Sequence, residues 1–362
     1  MSSPRWLCLD ANSLACLITD FYLYLITMTK TIQETILTIA IPTYNRSPYL
    51  RQCLDVLLPQ VVAAASEVQV LVLNNNSTDD TKEVITELLA KFPQCLKVIN
   101  NSENIGADAN IAKCFSEIHT QYGWIFGDDD VLVPGALDII LSYLHKRKYG
   151  VVHLRSYPYK GDALKARTAP KGRYEEYTSD NIEDMLYEVA DMFSFISGNI
   201  FNKSLVPSDI NPYEFIWTRY NQIQWVFGAL FSGQANLLID DALLAVNNEG
   251  NSGGYPFCKI FGTNYNLFFD QYERRGIPRR FFDIINRRMA RELFAPLIYF
   301  ARTVENFRNY TPEDYFAELK PNYGRYWEFW GFIAPMCKLP KSLLVPHFFL
   351  IRMLNRLYRL AR

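Results

Sequence analysis

The chain has 362 residues, 49% of them hydrophobic and 21% charged, a composition that can close a sizeable core and excludes an intrinsically disordered protein. The formal net charge of -1 hides a division: of the 37 Lys+Arg and 38 Asp+Glu, 17 and 7 respectively lie from Arg274 onward, so the front is acidic and the tail basic. The seven cysteines (Cys8, Cys16, Cys53, Cys95, Cys114, Cys258 and Cys337) are scattered and form no Cys-x-x-Cys pair, which argues against a disulfide framework or zinc site and fits a reducing cytosol.

Residues 14–28 are mostly apolar, but Asp20 interrupts them and no small-residue cleavage site follows, so they read as neither a signal peptide nor a spanning helix. Met28 stands a few residues before the first strand, and residues 1–30 are expected to be an N-terminal extension, with Met28 as an alternative start. The run 36–41 is short, apolar and β-branched and ends at Pro42, which predicts a buried strand. A polar loop at 43–46 leads to a helix over 47–62. A second strand over 68–73 leads to the polar turn Asn74-Asn75-Asn76-Ser77-Thr78-Asp79-Asp80-Thr81 and a helix to about Phe92. A third strand at 96–99 is followed by a polar loop at 100–106 and a helix to about Ile118. A fourth at 122–126 delivers Asp128, Asp129 and Asp130. Alternating strands and helices predict a doubly wound, mostly parallel α/β sheet, whose ligands sit at the carboxyl ends of the strands, where every one of these polar clusters falls.

Three adjacent carboxylates repel one another and call for a cation, most simply a divalent metal ion. The alternative is an acidic turn capping the helix that starts near Pro134.

Four motifs in order decide between them. Ile-Pro-Thr-Tyr-Asn-Arg at 41–46, the Asn/Ser/Asp turn at 74–81, Asn104-Ile105-Gly106 with Asn110, and Gly-Asp-Asp-Asp at 127–130 together resemble family 2 glycosyltransferases of the GT-A fold, including bacterial capsule and O-antigen sugar transferases. The resemblance covers about residues 36–145. It implies a nucleoside diphosphate sugar donor lying across the sheet edge, with Pro42, Thr43, Tyr44, Asn45 and Arg46 framing base and ribose and Asn104, Gly106 and Asn110 completing the nucleotide-sugar side. The Asp-x-Asp of the family corresponds to Asp128, Asp129 and Asp130. Asp130 is the direct ligand of Mn²⁺ or Mg²⁺, Asp128 lies nearer the ribose or a metal-bound water, and Asp129 belongs to the donor site. Where the family carries an Asp for the pyrimidine, this chain has Asn74, followed by Asn75; an amide both donates and accepts, so the base stays open.

Further along, a strand at 150–154 ends near His153, which reads as structural or as a ligand. A polar, basic loop follows over 157–173, then a helix over 179–190 and a strand over 193–201 carrying Ser197-Gly198-Asn199, which the resemblance places on the acceptor side. Gly198 reads as a close approach or as a β-bulge. Inverting relatives place an acid pair at a helix start about two dozen residues on; here that stretch is Arg219-Tyr220-Asn221-Gln222, without a carboxylate, and an amide is no general base. The nearest acids are Glu214, the expected base, Asp209 as the weaker choice, and Asp240-Asp241. The segment 247–256 reads as a closing or plain surface loop, with Tyr255 and Phe257 suited to stacking on a sugar.

The tail from Arg274 is expected to be helical. Its last stretch sets Phe348, Phe349, Leu350, Ile351, Met353, Leu354, Leu357 and Leu360 against Arg352, Arg356, Arg359 and Arg362, which suits an anionic membrane surface or packing onto the catalytic domain. The expected organisation is a nucleotide-sugar-binding half (31–155), an acceptor-side half (156–257) and a helical basic C-terminal region (258–362). The expected function is metal-dependent, inverting transfer from a nucleoside diphosphate sugar to a glycan or lipid-linked oligosaccharide, in the cytoplasm or on the cytoplasmic face of the inner membrane. No nucleic-acid partner is expected. A nucleotidyltransferase and a noncatalytic sugar- or membrane-binding protein are the alternatives.

Overall fold

The computed structural model describes residues 34–164, 171–247, 254–305, 307 and 310–360. The extension at 1–30, most of the 247–256 loop and Arg362 lie outside the described residues.

Among the described residues nine strands form one sheet. Leu37–Thr43 (β1), Val68–Asn74 (β2), Leu96–Asn100 (β3) and Tyr122–Ile125 (β4) pair in parallel in the order β3-β2-β1-β4. The apolar stretches of β1, β2 and β4 are buried on both faces, as a parallel sheet covered by helices requires, while the edge strand β3 is partly exposed. The helices Ser47–Ala63 (α1), Thr81–Lys91 (α2) and Ala107–Glu117 (α3) are the crossovers. In α1 the buried residues Leu50, Cys53, Leu54, Leu57, Leu58 and Val61 recur at the three- and four-residue spacing of one helical face.

The other half of the sheet holds Val131–Leu132 (β5), Val151–Tyr159 (β6), Tyr174–Thr178 (β7), Asn199–Asn202 (β8) and Ala235–Asn247 (β9). β8 is antiparallel between β4 and β6, while β5 and β7 run against β9. β1, β2, β3, β4, β6 and β9 therefore all point one way, and the sheet is mostly parallel as expected.

The expected strand over 193–201 is corrected. Residues 190–194 and 196–198 are tight 3₁₀ turns, and only Asn199–Asn202 pairs in the sheet. The Asn199 amide donates to the carbonyls of Phe193 (3.0 Å) and Phe195 (2.8 Å), folding the aromatic run back on itself instead of extending it. A Cβ on Gly198 would lie 2.8 Å from the Phe195 ring and 3.2 Å from that of His153, so this glycine serves packing.

Between Ala136–Lys146 (α4) and the C-terminus come Ile182–Val189 (α5), Ile223–Ser232 (α6), Tyr265–Arg274 (α7), Arg279–Met289 (α8), Ala295–Thr303 (α9), Tyr315–Tyr323 (α10), Ala334–Lys338 (α11) and Lys341–Leu360 (α12). The tail is helical, as its spacing predicts. A single apolar cluster runs from Ala40 and Leu71 of the sheet through Phe201, Trp225 and Phe227 to Phe294, Phe329 and Ile351, so the C-terminal helices share their core with the sheet.

Candidate functional site

Because β1 to β4 are parallel, the loops that follow them open on one edge, which brings together segments distant in sequence. Thr43 ends β1 and its hydroxyl donates to Asp128 Oδ2 at 2.7 Å, in a buried contact. Arg46 follows in the same loop, with Nε 3.2 Å from Asp128 Oδ1 and a guanidinium N–H on Asp129 Oδ2. Asn45 adopts a left-handed φ of 52° and locks this loop to the next: its backbone N–H donates to Ser77 Oγ (3.0 Å) and its Oδ1 accepts the Thr78 N–H (2.7 Å).

The asparagines form a connected amide network. Asn74 donates to Asn100 Oδ1 (2.9 Å) and accepts the Ser77 N–H (3.0 Å). Asn75 donates to Asn104 Oδ1 (2.7 Å) and accepts from Asn101 Nδ2 (2.9 Å) and the Ile105 N–H (3.0 Å). Asn110 accepts from Asn101 (3.0 Å) and donates to the Leu73 carbonyl (3.0 Å). Gly106, at a φ of 85°, turns the chain into α3 and gives its carbonyl to Asn75. Asn74 is thus fully buried and bonded within the fold, whereas Asn75 and Asn110 face a cavity of about 360 Å³. Pro42, Thr43, Tyr44, Arg46, Gly127, Asp128 and Asp129 line the same cavity, so most of the expected nucleotide-sugar residues converge there.

Burial pushes the Asp128 carboxyl up to about 7 even though Arg46 and Thr43 pull it down. Burial, with repulsion from Asp129, does the same to Asp130. Asp130 is bonded to the Ser197 hydroxyl and the Asn247 backbone N–H, and among the described residues no positively charged side chain pairs with it. Ser197, whose hydroxyl also accepts the Gly127 N–H at 2.8 Å, ties the turn before β8 to the aspartates. A Cβ on Gly127 would lie 3.0 Å from Asp130 Oδ2 and 3.3 Å from Asp129 Oδ1, so any larger residue here would press on both carboxylates. Among the described residues no three His, Cys, Asp or Glu side chains converge as a ready-made metal cage. Mg²⁺ needs none: it takes one or two carboxylates plus substrate phosphates and water, and Asp128 and Asp129, which line the cavity, fit that donor set, whereas Asp130, expected as the direct ligand, is buried and not on the cavity lining.

The remaining acids divide. Asp209 is exposed and paired with Arg275, its two oxygens 3.0 and 2.8 Å from the guanidinium. Glu214 is exposed, two residues from Ile216, and lines neither this cavity nor its neighbour. Asp240 and Asp241 bulge out of β9, where Asp241 accepts the backbone N–H groups of Lys171, Gly172 and Arg173, a structural role. His153 is buried, bonded to Asn199 (2.9 Å), and burial lowers its ring to about 4, which also fits a structural role. Phe257 is fully buried against Tyr310 and Tyr315, which removes it as a sugar-stacking residue; Tyr255 is half-buried under the Arg219 guanidinium.

One acid was not singled out by its local sequence. Asp108, in the first turn of α3, accepts the Arg219 backbone N–H at 3.0 Å through its carboxylate, and its own carbonyl accepts from the Asn221 amide at 2.9 Å. It therefore sits against the carboxylate-free stretch Arg219-Tyr220-Asn221-Gln222. Burial raises its carboxyl above the ordinary range, against the lowering effect of Arg219. It lines a cavity of about 480 Å³ that shares Ala107 with the first. The side-chain oxygens of Asn221, bonded to Asp108 through its amide, and of the next residue Gln222 are buried and accept no hydrogen bond among the described residues.

Residues 38–204 match the family Glycosyl transferase family 2. Over 109 residues the chain is 33% identical to the abequosyltransferase RfbV of Salmonella typhimurium, covering 30% of this chain and 32% of that protein. Over 116 residues it is 31% identical to the chondroitin synthase of Pasteurella multocida, covering 31% of this chain and 11% of that protein. The chain thus spans about a third or less of these two curated relatives. The structure of S. aureus TarS 1-349 in complex with UDP-GlcNAc superposes with a TM-score of 0.57 at 15% identity, covering 89% of this chain and 91% of that one, a likeness of fold.

Proposed function

We propose that this chain, whose residues 38–204 are a family 2 glycosyltransferase domain on a GT-A fold, transfers a sugar from a nucleoside diphosphate sugar to a hydroxyl of a glycan or lipid-linked oligosaccharide. The observation that carries the reading is the convergence of Thr43, Arg46, Asn75 and Asn110 with Asp128 and Asp129 around one cavity at the carboxyl edge of the sheet. Relatives that act on or bind activated sugars support the donor class.

In this reading the nucleoside lies along the Pro42–Arg46 loop and Asn75, and the diphosphate lies toward Asp128 and Asp130. A divalent cation held by Asp130, with Asp128 beside it, would offset the charge that grows on the departing diphosphate. Arg46 holds Asp128 and Asp129 in place, and Ser197 orients Asp130. The acceptor hydroxyl enters from the Asp108 side, where the exposed Ile216 and Trp217 offer an apolar face to a sugar ring. Asp108 takes the hydroxyl proton as the oxygen bonds to the anomeric carbon. The bond to the diphosphate breaks on the opposite side, its electron pair leaves with the nucleoside diphosphate, and the configuration inverts.

Product analysis tests the reaction class. Incubation with a panel of nucleoside diphosphate sugars and a divalent cation is expected to release nucleoside diphosphate from one of them, and release is expected to stop in Asp130→Ala. Pyrophosphate as the product would instead mark a nucleotidyltransferase. The absence of a carboxylate at 221–222 favours a second reading, a noncatalytic sugar-binding protein, which would bind a donor without ever hydrolysing it.

A further inference from the structure

Helix α12 has two apolar faces, and the fold uses only one. Leu344, Phe348 and Ile351 are buried, the Phe348 ring stacks on Tyr299 with centroids 4.1 Å apart, and the Asn355 amide donates to the Arg291 carbonyl at 3.2 Å. At about 100° per residue the opposite face carries Leu343, Phe349, Leu350, Met353, Leu357 and Leu360, all exposed, with Phe349 at 61% and Leu360 at 76%. A surface helix normally turns polar residues outward, so a continuous apolar outer row marks an interaction surface. Arg352 and Arg356, one turn apart, flank this row between its outer and buried sides, and α12 contains no Asp or Glu.

We propose that the outer face of α12 docks on a bilayer containing anionic phospholipid, with Phe349, Met353 and Leu357 entering the acyl boundary and Arg352 and Arg356 meeting the phosphates. The charge decides the partner: a second copy of this helix would bring the same arginines and no carboxylate to meet them, whereas anionic headgroups complement them. Among the described residues no helix is long and apolar enough to cross a membrane, so α12 lies along the surface. The inference is independent of the donor chemistry.

Flotation of the full chain with phosphatidylcholine vesicles, with and without phosphatidylglycerol, tests the proposal. Binding is expected only with phosphatidylglycerol and is expected to weaken with salt. Arg352→Gln with Arg356→Gln is expected to weaken it by on the order of 25-fold, roughly fivefold for each basic side chain near an anionic surface. Phe349→Ser with Leu357→Ser, both at exposed positions, is expected to abolish binding while circular dichroism and donor binding stay unchanged. Equal binding by these variants and the parent would overturn the proposal. So would a dimer in light scattering that the same variants dissociate, which would make a second copy the occupant.

Discussion

Thr43 and Asp128 lie 85 positions apart in sequence, yet the Thr43 hydroxyl donates to the Asp128 carboxylate at 2.7 Å in a buried contact. This bond fastens the loop after β1 to the aspartates after β4. Hydrogen bonds to charged groups contribute about 1.5–3 kcal/mol, so Thr43→Val is expected to lower stability by that order and to weaken donor affinity about tenfold. Urea denaturation and calorimetric titration read the two effects separately.

The assignment of the base to Asp108 rests on its bond to Arg219 and its place against Asn221. Asp108→Asn is expected to lower kcat by about 10²–10⁴ while leaving the donor Kd within a few-fold of the parent, and Glu214→Gln is expected to stay near parental activity. The reverse pattern would return the role to Glu214.

The same assignment fixes a pH dependence. Burial raises the Asp108 carboxyl, and a base must be deprotonated to act, so kcat/KM falls as pH drops through that raised value. The acidic limb is therefore expected above the ordinary carboxylate range of about 4. The raised pKa also means that the folded state binds this proton more tightly than the unfolded one, so Asp108 contributes stability at low pH that is lost as pH rises through its folded pKa. Asp108→Asn is accordingly expected to gain stability at neutral pH, as measured by its melting temperature across pH.

Asn75 serves two acceptors and two donors at once, and its removal leaves Asn101 and the Ile105 N–H without their shared oxygen. Each buried group left unsatisfied costs about 1–3 kcal/mol, so Asn75→Ala is expected to destabilise the fold by several kcal/mol. Asn75→Asp, which would set a buried carboxylate oxygen against the Asn104 and Gly106 oxygens, is expected to destabilise at least as much in a denaturation series at neutral pH.

Gly127→Ala tests the packing of the carboxylates. Its Cβ would press on Asp130, Ser197 and Asp129 at 3.0–3.3 Å, so donor affinity is expected to fall while global stability changes little, because the pressure is confined to the loop.

The parallel half of the sheet was legible in the sequence because each strand is an unbroken apolar run ended by a polar motif, and parallel pairing puts every such motif on one edge. The antiparallel insertion was not. β5 has only two residues, Val131 and Leu132, and the aromatic run before Asn199 carries no periodicity to separate a strand from 3₁₀ turns. Asp108 looked like any first-turn acid. Its contact with Arg219 spans 111 positions, and no local pattern reports a contact of that range. In α12 the sequence showed apolar residues and arginines, but only the packing of Phe348 on Tyr299 separates the face the fold has used from the one it leaves outward.

The claim on which the account turns is that the edge joining Thr43, Arg46 and the aspartates holds a nucleoside diphosphate with a divalent cation. Isothermal titration of the full chain with uridine, guanosine, cytidine and thymidine diphosphates, each with and without Mn²⁺, measures this directly. Saturable binding of at least one of them that requires the metal and disappears in Asp130→Ala is the expected result. Absence of metal-dependent binding to all four, or binding unchanged in Asp130→Ala, would contradict the account.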